Sequence, residues 1–114
     1  MGVYRWHDKY TCPDATTVTR EGPAVLRGQL VVLDTLYAID YTTADKTLIV
    51  GIKGVDGGEH YIRKVDIANH YSCFLNGKLI LLPGEKPIGK VETPTTSDVL
   101  YFTAHGLIYE YPEG

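Results

Sequence analysis

Four side chains of this sequence are of the types that bind zinc, an ion that accepts two Cys and two His. They are His7 and Cys12, and His70 and Cys73. The spacings H-x4-C and H-x2-C carry little specificity, and neither cysteine belongs to a CxxC pair, so no metal and no other cofactor is expected. Cys12 and Cys73 read instead as free thiols of a protein made in a reducing cytosol. Acid and base groups adjoin at His7 with Asp8, and at Asp56 and Glu59 with His60. General acid–base catalysis needs such groups to converge in space, which closeness in sequence does not supply. Ser72 and Ser97 have no nucleophile-elbow context. The glycines from Gly54 to Gly58 lack the Lys and Ser/Thr of a phosphate loop. No catalytic residue is assigned, and the chain is expected not to be an enzyme.

The remaining chemistry is that of binding. Nine tyrosines would serve as sugar-stacking platforms if Tyr61, Tyr71, Tyr101, Tyr109 and Tyr111 shared one exposed face. Otherwise they alternate between core and cross-strand pairs, where aromatics stabilise sheets. Tyr4, Trp6 and Tyr10 near the N-terminus offer large apolar area with a polar tip, the kind of side chain that dominates protein interfaces. Arg5 and Arg27 would add charge pairs at the rim. The alternative for Tyr4 and Trp6 is that they pack onto their own domain, since Trp is highly buried on average.

The elements that must position these residues are strands. Val, Ile, Thr, Tyr, Phe and Trp make up 42 of 114 residues, against six Ala and one each of Gln and Met. That balance favours pleated surfaces over helices. Eighteen Gly and Pro cut the chain into short runs, as in a sandwich or barrel. Strands are expected at Thr16 to Thr19, Gln29 to Leu33, Leu36 to Thr42, Thr47 to Lys53, Glu59 to Arg63, Lys78 to Leu82, Ile88 to Glu92, Val99 to Ala104 and Leu107 to Tyr111. Within them, Leu36, Ala38 and Asp40 share one face, and Leu48, Val50 and Ile52 another. Asp56-Gly57 is a hairpin signal and Asn76-Gly77 a second tight-turn dipeptide. One or two helical turns are expected between Arg63 and Asn76, where Tyr61, Val65 and Ala68 fall at helical spacing. The expected organisation is an N-terminal arm over residues 1–15 followed by a single β domain over 16–114. The fold class is mainly β, a compact β-barrel or β-sandwich with at most one short helix.

The sequence also echoes itself. GQLVVL followed by YAIDYTTADKTLIVGIKGV in the first half corresponds to GKLILL followed by KPIGKVETPTTSDVLYFTAHGL in the second. Gly28 aligns with Gly77 and Leu30 with Leu79. After a three-residue shift Leu48 aligns with Leu100, Val50 with Phe102 and Gly54 with Gly106. Each half carries a TT-[AS]-D turn, Thr42 to Asp45 and Thr95 to Asp98.

At these residues the sequence resembles the small capsid cement, or decoration, proteins of tailed bacteriophages. The resemblance runs through Gly28 to Leu33, Leu36 to Asp40, Thr42 to Asp45 and Thr47 to Val55. It continues at Asn76 to Leu79, Ile88 to Val91 and Val99 to Ala104. Gly58 to Val65, with His60, Tyr61 and Arg63, departs from the Phe/Leu-Pro-Lys string usual in that family, and the segment before Thr16 matches none of it. The resemblance implies a protein of the virion, made in the host cytoplasm, that adds to the outside of the assembled head and strengthens it. Its partner would be the major capsid protein, and the chain would be a homo-oligomer, with a trimer favoured. Two other classes remain: a phage-encoded inhibitor that binds a host factor, and a carbohydrate-binding β module.

Bulk properties narrow the classes further. The formal charge is −3, and the basic residues are scattered without a stripe to neutralise phosphates, so no nucleic-acid partner is expected. No apolar stretch is long enough to span a bilayer, and Met1 to Tyr10 lacks the apolar middle of a signal peptide, so no membrane is expected either.

Overall fold

The computed structural model describes residues 2–43, 46–65, 72–75 and 77–111. They form β1 (Gly2–Thr11), β2 (Val18–Glu21), β3 (Gln29–Asp40), β4 (Thr47–Lys53), β5 (Glu59–Val65), β6 (Ser72–Phe74), β7 (Leu79–Leu81), β8 (Lys86–Glu92) and β9 (Val99–Glu110). No helix occurs among the described residues. The expected helix between Arg63 and Asn76 is replaced at its two ends by β5 and β6, and its middle lies outside the described residues.

The strands make two antiparallel sheets. One has the order β1-β9-β3, with β6 and β7 side by side along the far edge of β3; the other has the order β2-β8-β4-β5. Taken from its middle outwards, the chain is one long hairpin. Its tip is the turn between β4 and β5, where Gly57 adopts φ 85° and the Gly54 N–H donates to the Gly58 carbonyl at 2.8 Å. A left-handed residue at such a turn costs glycine nothing, which is why Asp-Gly marks it in the sequence. Outside the tip, β3 pairs with β6 and β7, β2 with β8, and β1 with β9. Winding this hairpin into two facing sheets gives the jelly-roll sandwich. The expected mainly-β sandwich is the observed architecture.

Alternation along each strand builds the core between the sheets. Val31, Leu33, Leu36, Ala38, Leu100, Phe102 and Ala104 point inwards from the five-stranded sheet, and Leu48, Val50 and Val91 meet them from the other; all are essentially solvent-free. The expected shared faces of Leu36/Ala38/Asp40 and Leu48/Val50/Ile52 are observed. Leu33 and Leu36 both face inwards although three residues apart, because β3 carries a β-bulge. Leu33 pairs with Gly106 and Thr35 with His105, leaving Asp34 as the extra residue. The backbone closes so tightly there that a Cβ at Gly106 would lie 2.2 Å from the Val32 carbonyl oxygen. This bulge explains why β3 reads as two runs in the sequence and is a single twelve-residue strand in the structure; β9 is also a single twelve-residue strand, continuous through His105-Gly106.

The N-terminal segment is a correction. Where an arm was expected, β1 pairs with β9 along its whole length, from Gly2 opposite Ile108 to Thr11 opposite Val99. The physical reason is its period-two pattern. Tyr4, Trp6, Asp8 and Tyr10 turn inwards while Val3, Arg5, His7 and Lys9 turn outwards. Trp6 is 8% exposed and stacks on Phe102 at 6.1 Å between ring centroids. β6 and β7, which flank the expected Asn76-Gly77 turn, both run antiparallel to β3, and Asn76 itself lies outside the described residues.

Candidate functional site

The two outer faces of the sandwich differ in chemistry. On the four-stranded sheet, Glu21 accepts from Lys53 at 2.6 Å and from Lys86 at 3.2 Å, and Lys90 donates to the Tyr61 hydroxyl at 2.9 Å with Glu59 at 3.7 Å. Ile49 and Ile88, which face outwards here, are nonetheless buried. Ile49 sits between its cross-strand neighbours Lys64 and Lys90, whose aliphatic stems cover apolar surface while their ammonium groups stay wet. Ion pairs cover the middle of this face, while Tyr61 and Ile62 stay exposed on its edge strand β5.

The outer face of the five-stranded sheet is open and apolar at one end. Strand register lines up Val3 with Leu107, Leu107 with Val32, and Val32 with Ile80, a row crossing four strands. Leu30 and Tyr109 form the next row, and Leu82 follows β7. Exposure is 64% for Val3, 57% for Ile80, 54% for Leu82, 40% for Leu107 and 37% for Tyr109. Together with Val32 and Leu30 these leave on the order of 400 Å² of apolar surface in water, within the range for the largest patch on a monomer. The patch continues around the β1 edge into a cleft of about 280 Å³ lined by Val3, Tyr4, Pro23, Val25, Leu26 and Ile108. Leu26 at its mouth is also largely exposed.

Farther along the same face, Arg5, His7 and Lys9 of β1 lie beside His105 and Tyr101 of β9. Lys9 sits 5.9 Å over the Tyr101 ring, and Tyr37 packs on Phe74 at 5.4 Å. His7 and His105 bring their Nε2 atoms to 2.5 Å. Burial, with His7 and Arg5 nearby, lowers the pKa of His105, and Asp34 partly opposes that.

The sequence-derived interaction residues are therefore divided. Tyr4 is buried, its hydroxyl donating to the Pro23 carbonyl at 2.5 Å, and desolvation raises its pKa. Trp6 is in the core. Tyr10 is half-buried under the Arg20 guanidinium, 4.9 Å from its ring centroid. Arg5 is exposed on the outer face described above, and Arg27 is exposed in the β2–β3 connection. The structure does not bring the five together. The apolar residues Val3, Val32, Ile80, Leu107 and Tyr109 share that outer face instead, and the sequence does not bring them together because they come from separate strands that only register aligns. Their signal was present as apolar residues on both faces of β3 and β9.

The His7/Asp8 pair and the tyrosine platform do not assemble among the described residues, whereas Asp56 and His60 both lie beside Gly54 at the exposed tip of the hairpin. Asp8 faces inwards and binds Arg20 at 2.8 Å, whereas His7 faces outwards. Tyr61 lies on the four-stranded sheet while Tyr101 and Tyr109 lie on the other, and Tyr71 is outside the described residues. Cys12 and Cys73 are free and buried, and no cluster of three metal-ligating side chains occurs among the described residues. His70 lies outside them.

The two echoed turns do meet. Asp40, at the end of β3, accepts from the Thr42 and Thr43 amides at 3.1 and 3.0 Å. Asp98, at the start of β9, accepts from the Thr43 hydroxyl at 2.7 Å and from the Thr95 amide at 2.9 Å. Cys12 joins them through backbone bonds to Ser97 and Asp98. Burial and the neighbouring Asp98 push the Asp40 carboxyl up to about 6. This node ties three chain crossings at one end of the sandwich, a structural role.

No protein-family model and no curated protein matches this chain. Among solved structures, the core of Drosophila NLP, a structure concerned with pentamer formation and histone binding, is similar at 13% identity and a TM-score of 0.44. The likeness covers 94% of this chain and 99% of that one.

Proposed function

We propose that this chain is a non-enzymatic docking domain that attaches to other protein subunits through the outer apolar face of its five-stranded sheet. The observation that carries the reading is the contrast between its two outer faces, one covered at its middle by its own ion pairs and the other leaving the row Val3, Leu107, Val32 and Ile80 in water. An exposed apolar patch rimmed by polar residues marks a surface meant to be covered. A rigid sandwich suits docking because little conformational entropy is lost on association.

The sequence resemblance to phage cement proteins supplies the partner in this proposal. The chain binds the major capsid protein on the outside of an assembled phage head, as a homo-oligomer with a trimer favoured, and strengthens the shell. Fold alone does not assign this role, since jelly rolls serve in capsids, lectins and enzymes alike. The test is cosedimentation with empty, undecorated phage heads alongside light scattering of the free chain. Saturable pelleting, weakened when Ile80→Lys and Leu107→Lys are combined, is the expected result. Failure to pellet with any head removes the capsid reading. A dimer or trimer that I80K/L107K dissociates, without head binding, assigns the face to a second copy of the chain.

A further inference from the structure

We propose that His7 and His105 form a two-imidazole site for a divalent transition metal ion such as zinc, nickel or copper. The residues sit on adjacent strands, His7 opposite Thr103 and His105 opposite Arg5, so they are diagonal neighbours on one face. Their Nε2 atoms are 2.5 Å apart and their ring centroids 4.7 Å apart. An imidazole nitrogen lies about 1.1 Å from its ring centre by standard covalent geometry, so the two nitrogens fall almost on the line between the rings. The rings therefore meet head to head, with both Nε2 positions directed at one point.

In the metal-free protein a single N–H between the two nitrogens satisfies both. A divalent ion takes its place when the ring carrying that proton exchanges it to Nδ1, leaving two neutral rings with two lone pairs and no net loss of protons. Bonds of about 2.0–2.1 Å at tetrahedral or right-angled geometry require the nitrogens to separate to roughly 2.9–3.4 Å. Both side chains reach outwards from a two-strand ladder, so this small opening requires only side-chain rotation. Water fills the remaining positions. The surroundings set the charge. Asp34, at the bulge of β3, favours a cation, whereas Arg5 and Lys9 on β1 oppose it. Affinity for nitrogen ligands rises from zinc and nickel to copper.

The test is calorimetric titration of the untagged full chain with zinc chloride and nickel chloride at pH 7.5, repeated at pH 5. One ion per chain is expected, with binding lost at pH 5, where imidazoles protonate. His7→Gln and His105→Gln should each weaken binding at least tenfold, while His60→Gln on β5 leaves it unchanged. His7 is exposed, so the first variant keeps the fold even if the second disturbs β9. Absence of saturable binding, or one-to-one binding that survives in H7Q/H105Q, overturns the proposal. The assay needs no docking partner, so its outcome is independent of head binding.

Discussion

Asp40 gives the sharpest quantitative test of the node where the echoed turns meet. Its side chain is 0% exposed, and its Oδ2 atom has no hydrogen-bond partner while Oδ1 takes both turn amides. Protonated, Oδ2 becomes a donor toward Asp98; ionised, it is a buried charge beside another carboxylate. The folded value of about 6 against 3.8 for the free group means that, between those pH values, the folded state holds the proton more tightly than the unfolded one. Stability therefore falls as pH rises from about 4 to about 6. A shift of this size corresponds to about 3 kcal/mol at most, and we expect 2–3. Asp98 does not contribute in that window. Its pKa is lowered by its hydrogen bonds, so its stabilisation is present throughout and is lost only as pH falls below the usual carboxylate range.

Asp40→Asn reproduces the protonated form, keeping the acceptor for Thr42 and Thr43 and supplying an N–H toward Asp98. The variant should match the parent near pH 4 and exceed it by about 2 kcal/mol at pH 7, a rise of about 1 M in the urea midpoint. Urea unfolding followed by tryptophan fluorescence at the two pH values measures this. The difference between the two proteins isolates Asp40, because His105, with its lowered pKa, favours the folded state in the opposite direction as pH rises. A D40N chain less stable than the parent at pH 7, or a difference that does not change with pH, would refute the reasoning.

Other outcomes follow from the core and from β1. Deleting residues 1–12 should abolish cooperative unfolding, because it strips β9 of its partner strand and removes Trp6 and Tyr4 from the core; a truncated chain with an unchanged thermal transition would restore the arm. Trp6 fluorescence should be blue-shifted and inaccessible to iodide in the native protein. Phe102→Ala should cost about 3–5 kcal/mol in urea unfolding, since Phe102 stacks on Trp6 and packs against Gly89, where a Cβ would lie 2.2 Å from its ring. Cys12 and Cys73 should react with a thiol reagent only on unfolding, because burial raises both pKa values and Asp98, Asp40 and Asp14 raise Cys12 further.

Strand positions were largely legible in the sequence because half-buried strands write their burial into a period of two. β4 was read with its observed bounds, and the Asp56-Gly57 turn proved to be the tip of the wound hairpin. The break expected at Asp34-Thr35 reflects a bulge that shifts the alternation of β3 by one residue, an event visible only across the ladder, whereas at His105-Gly106 the glycine alone suggests a turn and β9 runs straight through it. The N-terminal segment was misjudged from its mixed composition, although Tyr4, Trp6, Asp8 and Tyr10 alternate with Val3, Arg5, His7 and Lys9. The apolar face was invisible for a different reason. Val3, Val32, Ile80 and Leu107 come from four strands scattered along the chain, and only register places them in one row. The His7–His105 contact, joining residues ninety-eight apart, is of the same kind.

The docking face is tested most directly by hydroxyl-radical footprinting of side chains, comparing the free chain with the chain pelleted on phage heads. Loss of oxidation at Ile80, Leu107 and Tyr109, with Tyr61 on the four-stranded sheet unchanged, is the predicted pattern. Protection of Tyr61 and Ile62 with Ile80 and Leu107 still reactive would put the partner on the opposite face and contradict the account.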